Sequence, residues 1–215
     1  MIKIITAAQA ADMIKDGDTV AIGGFLGVGA PSGILDALVA KGTKDLVVHS
    51  SDSAFPNVGV GKLIGNNRIA HFMGSHTGTN KDMQALIKSN GIKLTLIPQG
   101  TFCERIRAAG GGLGGVLTPT GVGTMVAEGK QVITVNGKEF LLEEPLPSDF
   151  ALVKAYKADK AGNLVFRLSA RNFNPIVAMG GKVTIVEAEH IVEIGELDPD
   201  NIHSPGVFTN YLVQA

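Results

Sequence analysis

The most constraining feature of the sequence is the alternation of apolar, strand-like runs with helix-like segments over its first hundred residues. The strand-like runs are TVAIGG (19–24), LVVHS (46–50), IAHFMG (69–74) and LTLIPQ (94–99). Residues 32–42 and 80–91 are predicted helices, because each places its apolar residues on one face and ends at a glycine. Strands that alternate with helices form βαβ units with parallel strands. The pattern therefore predicts an α/β fold, with an open, mainly parallel sheet and flanking helices.

The second half of the chain carries signals for antiparallel strands. Residues 131–145, QVITVNGKEFLLEEP, contain an Asn-Gly pair at 136–137 between two strand-like runs, which is a strong hairpin signal. Residues 158–166 are a second candidate turn leading into a strand, and residues 182–189 are a further candidate strand. We therefore expect an antiparallel extension of the sheet. A chain of 215 residues can bury one sizeable core, so residues 1–215 are expected to form a single domain.

Composition excludes several classes of partner. The formal net charge of −1 argues against nucleic-acid binding, which needs a basic surface. No run approaches the roughly 20 apolar residues of a membrane span, and no signal peptide is apparent, so no membrane association is expected. The single cysteine, Cys103, rules out an intrachain disulfide, which fits a cytoplasmic location.

Polar or glycine-rich sequence follows each of the first four strand-like runs. These stretches are Gly23-Gly24-Phe25, residues 50–53, residues 75–80 and Gln99-Gly100-Thr101. Ligands of open parallel sheets bind beyond the carboxyl ends of the strands, where these stretches would meet. The sequence thus predicts a ligand-binding edge, with ordinary surface loops as the alternative.

The glycines at 22–33, IGGFLGVGAPSG, do not match a known nucleotide fingerprint. Their spacing is Gly24-x-x-Gly27-x-Gly29, which is neither G-x-G-x-x-G nor a phosphate loop, so NAD and ATP have no support. The predicted helix after Pro31 could bind an anion at its first N–H groups, and a tight structural turn is an equal alternative. A second stretch, 108–124, holds seven glycines and is predicted to be a flexible lid or a bare backbone surface.

The sequence contains a candidate oxyanion donor but no convincing nucleophile. The five histidines show no metal-ligand spacing, and there is no G-x-S-x-G motif. Cys103 is predicted to be a buried structural residue, and Glu143 with Glu144 a solvated pair or a fold contact. The Gln99 amide, after a predicted strand, could stabilise an oxyanion, or could simply bind a loop. A ligand-binding edge without a nucleophile suggests half of an active site.

Four motifs occur in order along the chain: IGGFLGVGAPSG (22–33), PQGTFCERIRAAGGGLGG (98–115), LTPTGVGT (117–124) and SARNFNP (169–175). Together they resemble the α subunits of family I coenzyme A transferases. HTGTN (76–80) is similar to the acetate/acetoacetate, short-chain branch, whereas residues 143–163 also resemble the succinyl-CoA:3-oxoacid branch. The resemblance implies an open α/β fold and a separate β subunit, often in an α₂β₂ heterotetramer.

The resemblance also implies a mechanism. A glutamate carried by the β subunit reacts with the acyl-CoA and forms first an anhydride and then a glutamyl-CoA thioester. Coenzyme A and short-chain carboxylates are then substrates, and no tightly bound cofactor or metal is implied. The family's oxyanion-donating glutamine falls on Gln99. Its glycine-rich, CoA-associated loop falls on Gly23, Gly24, Phe25, Leu26, Gly27, Val28 and Gly29. His76 could shape the acyl pocket or be a surface residue.

Two functions of other classes stay open. One is a non-catalytic acyl-CoA-binding or nucleotide-binding module, which would bind CoA tightly without a partner. The other is an enzyme like the sugar-phosphate isomerases, which would need a general acid and a general base within this chain. The sequence offers no persuasive pair of that kind.

Overall fold

The computed structural model describes all 215 residues and contains six α-helices and twelve strands. The helices are α1 (Ala7–Met13), α2 (Ser32–Lys41), α3 (Gly61–Gly65), α4 (Lys81–Lys88), α5 (Gln99–Gly110) and α6 (Asn174–Gly180). The strands are β1 (Lys3–Ile5), β2 (Thr19–Ile22), β3 (Leu46–Ser50), β4 (Ile69–Gly74), β5 (Lys93–Leu96), β6 (Val116–Thr118), β7 (Val132–Val135), β8 (Lys138–Glu143), β9 (Ser148–Asp159), β10 (Leu164–Val165), β11 (Gly181–Val192) and β12 (Tyr211–Gln214). None of the helices is long and apolar enough to cross a membrane.

The main sheet has the strand order β1-β12-β11-β9-β2-β3-β4-β5. All of these pairs are parallel, and only β10, which pairs with β9, runs antiparallel. The predicted α/β class is therefore confirmed. From β2 the chain progresses outward through β3, β4 and β5, and from β9 it progresses the other way. The direction of winding reverses between β2 and β9, which is where open sheets of this kind bind ligands.

Helices cover both faces of the main sheet. The largest apolar core lies under α1, α2, α3 and α4, a second lies under α6, and a third, of four buried residues, includes Phe102 and Ile106 of α5. The predicted helix at 32–42 is confirmed as α2, with Gly42 in the left-handed conformation that ends it (φ 84°). The predicted helix at 80–91 is confirmed as α4. Asn80 caps it by accepting the N–H groups of Asp82 and Met83, but the helix already ends at Lys88.

The antiparallel strands form a sheet of their own. The hairpin predicted at 131–145 is confirmed as β7 and β8, joined by Asn136 and Gly137 in the left-handed region. This hairpin does not extend the main sheet; it pairs with β6 in a three-stranded sheet of order β6-β8-β7, which we call the small sheet. The antiparallel extension of the main sheet is limited to the two residues of β10.

The glycine-rich stretch 108–124, predicted to be a flexible lid or a bare backbone surface, includes regular secondary structure. It contains the end of α5 and the whole of β6. Gly110 lets α5 approach α6 closely, because a Cβ atom at that position would lie 2.5 Å from the carbonyl oxygen of Met179. Within this stretch, Gly110 thus serves close packing, whereas most of residues 111–120 are exposed.

A buried ion cluster joins the small sheet to α5. Glu143 is 1% exposed, and its carboxylate lies 2.5 Å from Lys130 Nζ and 3.5 Å from Arg105 Nη1. Arg105 Nε also donates to the carbonyl of Glu144 at 2.7 Å. Of the two roles predicted for Glu143, the structure shows the fold contact. Because one buried carboxylate serves both cations, the small sheet is fixed against the helix that starts at Gln99.

Buried His49 makes the stability of the fold depend on pH. Its Nδ1 lies 2.9 Å from Ser148 Oγ, and burial, helped by the positive charge of Arg105, lowers its pKa from 6.5 to about 4. Between those values the unfolded chain binds a proton that the folded chain does not, so stability falls as the pH falls. Between pH 7 and pH 4.5 the free energy of unfolding of wild type should fall by about 2 kcal/mol more than that of the His49→Gln variant. Urea unfolding at both pH values measures this; equal losses would contradict it.

Candidate active site

The four polar stretches meet at the carboxyl edge of the main sheet, as expected for parallel strands. Hydrogen bonds link the loop after β3 to each of the other three. Leu26 N–H donates to Asp52, Ser75 N–H donates to the Ser51 carbonyl at 3.0 Å, and Gln99 Nε2 donates to Ser51 Oγ at 3.4 Å. The loop at 50–53 is therefore the centre of this edge. His76, in the loop after β4, is exposed.

Residues 23–29 form a tight turn that we call the glycine hairpin. Phe25 and Val28 exchange two backbone hydrogen bonds, at 3.0 and 2.9 Å. Between them Leu26 (φ 50°) and Gly27 (φ 87°) both lie in the left-handed region, which is the pattern of a type I′ turn. This conformation is unfavourable for leucine, and the bond from its N–H to Asp52, at 3.1 Å, helps to hold it. The hairpin is thus a fixed element.

Buried Asn174, the first residue of α6, holds the hairpin to the sheet. It is 0% exposed, and its Oδ1 accepts the N–H of Lys154 at 3.1 Å. Its Nδ2 donates to the carbonyls of Gly29, at 2.9 Å, and Ala170, at 2.8 Å. Gly23 must be glycine here, because a Cβ atom would lie 1.9 Å from Asn174 Oδ1. Asn174 stands where the winding of the sheet reverses, and sequence reasoning did not single it out.

The hairpin presents apolar side chains and a few free backbone donors. Phe25 is 40% exposed and Val28 is 49% exposed, and the Phe25 ring lies 5.9 Å from that of Phe173. The backbone N–H groups without a partner in the chain are those of Gly24, Gly27 and Gly29. Gly27 and Gly29 are partly exposed, so their N–H groups can donate to ligand oxygens, whereas Gly24 is buried.

The start of α2 is not free to bind a ligand anion. Glu187, on β11, is 3% exposed and accepts the N–H of Ile34 at 2.9 Å. Its carboxylate therefore satisfies the Ile34 N–H and lies at the positive dipole end of the helix, from within the chain. Of the two equal alternatives for this stretch, a ligand anion site and a structural turn, the structure favours the structural role, because the carboxylate comes from a strand of this chain that is 153 positions away in the sequence.

The bond from Glu187 to α2 should contribute measurably to stability. The Glu187→Ala variant leaves the buried Ile34 N–H without an acceptor, so its free energy of unfolding should fall by about 1–3 kcal/mol. The Glu187→Gln variant keeps an acceptor of the same shape and should lose less. Urea unfolding of the two variants measures the difference. An alanine variant as stable as wild type would contradict this role.

Gln99 lies at the edge, but it does not stand in the predicted strand. The run predicted at 94–99 ends at Leu96, and Gln99 is the first residue of α5. Its side chain is exposed, and its one polar contact is the 3.4 Å bond to Ser51, whose side chain is buried. The amide therefore retains a hydrogen for a ligand and sits beside the loop that contacts the glycine hairpin.

The two nucleophile candidates at or near this edge are unsuited to attack. The Asp52 carboxylate is 2% exposed and accepts the N–H groups of Leu26 and Ala54, the latter at 2.8 Å. Burial raises the pKa of Asp52 above its ordinary value. Burial likewise raises the pKa of Cys103, which reduces its thiolate fraction. The edge thus offers hydrogen-bond donors, whereas its own carboxylate, that of Asp52, is buried.

A cavity of about 360 Å³ adjoins the hairpin on the side of β9 and β11. Its lining includes Val28, Lys154, Tyr156, Arg167 and Glu189. Lys154 pairs with Glu189 at 3.2 Å, whereas the Arg167 guanidinium stacks 5.2 Å above the Tyr156 ring and forms no ion pair. A guanidinium beside an aromatic ring suits a ligand that carries phosphate groups.

Comparisons with known proteins cover almost the whole chain. The family model described as Coenzyme A transferase matches residues 4–215. The alpha subunit of the acetate CoA-transferase of Escherichia coli K12 is 46% identical over 98% of this chain and 96% of its own length. A probable succinyl-CoA:3-ketoacid coenzyme A transferase subunit of Bacillus subtilis 168 is 47% identical over 98% and 89%. The acetoacetyl-CoA:acetate/butyrate CoA transferase alpha subunit of Clostridium acetobutylicum is 45% identical over 99% and 97%.

Solved structures share the fold at much lower identity. An acyl-CoA transferase from E. coli O157:H7, described as a thioester complex with CoA, has a TM-score of 0.87 at 20% identity. All of this chain aligns with it, and the chain spans 47% of that protein's length. Glutaconate coenzyme A-transferase from Acidaminococcus fermentans also has a TM-score of 0.87 at 20% identity, over 99% of this chain and 75% of its own length.

Proposed function

We propose that this chain, which belongs to the coenzyme A transferase family, is the α subunit of a short-chain acyl-CoA:carboxylate CoA-transferase that acts only together with a β subunit. The observation that carries the proposal is the family match over residues 4–215. Relatives that are 45–46% identical over nearly their full length are named as alpha subunits of such enzymes. We propose an α₂β₂ assembly, in which the β subunit completes the site.

The proposed reaction moves coenzyme A between two carboxylic acids by covalent catalysis. A glutamate carboxylate from the β subunit bonds to the thioester carbonyl carbon, the C–S bond breaks, and an acyl-glutamyl anhydride and CoA thiolate form. The thiolate attacks the glutamyl carbonyl of the anhydride, which releases the first carboxylic acid as its anion and leaves a glutamyl-CoA thioester. The acceptor carboxylate then reverses both steps. Every step exchanges one anion for another, so no general base is required.

This chain supplies hydrogen-bond donors to that chemistry. Each attack produces a tetrahedral oxyanion, which fixed donors stabilise strongly. The Gln99 amide is the proposed side-chain donor, supported by its exposure and its position beside Ser51. The buried, hydrogen-bonded state of Asp52 supports placing the nucleophile in the partner.

Coenzyme A is proposed to lie along the glycine hairpin, residues 23–29, as a substrate that leaves after each cycle. The exposed Phe25 and Val28 give its pantetheine arm an apolar surface. Arg167, in the adjoining cavity, is available to its phosphates. Acetate, acetoacetate and butyrate are the proposed acids. A succinyl-CoA:3-oxoacid enzyme is the second candidate, favoured by the 47% identity to the Bacillus subtilis protein.

The proposal is tested by assaying transferase activity from acetyl-CoA to butyrate or acetoacetate. The purified chain alone should be inactive, and the chain purified with a co-expressed β subunit should turn over. Tight CoA binding by the isolated chain, with no activity in the complex, would favour the non-catalytic binding module. Turnover by the isolated chain would place a nucleophile in this chain.

A further inference from the structure

A second cavity, of about 270 Å³, lies between the first turn of α5 and strand β6, and we call it the α5–β6 cavity. Its lining residues are Gly100, Thr101, Glu104, Val116, Leu117 and Thr118. Because Gly100 follows Gln99 in the chain, the cavity begins one residue from the proposed oxyanion donor. The buried ion cluster around Glu143 fixes the small sheet, and hence the β6 wall, against α5.

The size and the lining of this cavity limit the size and the chemistry of a ligand that it can hold. The volume is below the range of about 300–1,000 Å³ that holds drug-sized molecules, so the ligand has few atoms. Val116 and Leu117 provide an apolar wall. Thr101 is 5% exposed, and its hydroxyl has no hydrogen-bond partner in the chain. This unpaired hydroxyl is the donor that the proposal below assigns to the ligand.

The charge of the lining distinguishes ligands with one carboxylate from ligands with two. No lysine or arginine lines the cavity, and Glu104 is its only ionisable residue. Glu104 pairs at 3.0 Å with Arg107, which is exposed and does not line the cavity. A second carboxylate on the ligand would lose water without gaining a cation and would approach a like charge.

We propose that the α5–β6 cavity receives the acyl chain of the substrate and selects short monocarboxylic acids over dicarboxylic ones. This inference rests on the proposed function and deepens it. The thioester carbonyl lies at Gln99, the aliphatic chain lies against Leu117, and a 3-oxo group accepts a hydrogen bond from Thr101. The cavity thereby decides between acid types that the nearly equal identities of 46% and 47% do not separate.

The first test measures acyl-chain length with the complex of this chain and its β subunit. With acetyl-CoA as donor, kcat/KM is compared for butyrate, hexanoate and succinate. Wild type should prefer butyrate over succinate at least tenfold. Leu117→Ala should raise the hexanoate-to-butyrate ratio about tenfold, since one or two methylene groups in a pocket are worth that much. The matched control is Leu113→Ala, which removes a 57% exposed leucine outside the cavity and should leave the ratio unchanged.

The second test replaces surface charges and a single hydroxyl group. None of these substitutions should disturb folding. Glu104→Gln should raise kcat/KM for succinate several-fold. Arg107→Gln breaks the same ion pair, leaves the cavity charge in place and should not raise it. Thr101→Val should lower kcat/KM for acetoacetate and spare butyrate, which has no oxo group.

Two outcomes would overturn the inference while leaving the proposed function intact. One is a complex that turns over but prefers succinate. The other is a chain-length profile that Leu117→Ala and Leu113→Ala leave equally unchanged. A wild-type complex that transfers CoA to none of these acids would reject the proposed function and this inference with it.

Discussion

Replacing Gln99 by alanine is expected to lower the kcat/KM of the complex with β by about 10²–10³-fold, the effect of removing one oxyanion donor. The free energy of unfolding should change by less than about 0.5 kcal/mol, because the side chain is exposed and makes only one long contact. We therefore expect a large loss of kcat/KM together with a negligible change in the free energy of unfolding. Steady-state kinetics and urea unfolding of the same preparation measure both.

Ser51→Ala is the matched control for Gln99. It removes the acceptor of the 3.4 Å bond and keeps the Gln99 amide. Its kcat/KM should fall much less than that of Gln99→Ala, because the donor itself remains. Full turnover in an assembled Gln99→Ala complex would refute the oxyanion role. An equal loss in both variants would mean that Gln99 acts through Ser51.

Asn174→Ala is expected to have the largest effect on stability. The substitution leaves the N–H of Lys154 and the carbonyls of Gly29 and Ala170 without their partner in a fully buried position. Each unsatisfied group costs about 1–3 kcal/mol, so the free energy of unfolding should fall by about 3 kcal/mol or more. The glycine hairpin should also lose its fixed position, which lowers the activity of any complex that still assembles.

Asn172→Ala provides the control for Asn174. Asn172 is half-buried, and its Nδ2 also donates to the hairpin, at Val28 O, at 2.9 Å, in a bond that is itself exposed. Its loss should cost less than about 1 kcal/mol, because water replaces the exposed bond. Asn174→Asp should be nearly as damaging as alanine, since a carboxylate would face two carbonyl oxygens. Similar stability of the variants at 172 and 174 would show that burial of Asn174 contributes nothing.

The parts of the fold that were predictable from sequence are those encoded by local patterns. The periodicity of α2, the apolar runs of β3 and β4 and the Asn136-Gly137 turn each depend on residues within about ten positions. The twelve-residue strand β9, Ser148–Asp159, was not predicted, although it is central to the sheet. Lysines on both of its faces interrupt the apolar pattern, so it resembles neither a buried run nor an alternating one.

The candidate site depends more on contacts between distant segments. The convergence of loops at the carboxyl edge follows from strand direction and was predictable. The pairing of Glu187 with Ile34 spans 153 positions, and that of Asn174 with Gly29 spans 145. No spacing rule connects such residues, because their contact exists only after the sheet has formed. For Asn174 the available signal was its place in SARNFNP, one of the family-like motifs.

We infer that this chain forms the donor half of an active site whose nucleophile is in the β subunit. The most direct measurement is mass spectrometry of both chains after the complex is incubated with acyl-CoA and no acceptor acid. We expect an unmodified α chain and a CoA thioester on one glutamate of the β subunit. An adduct on this chain, at Asp52 or at any of its glutamates, would contradict it.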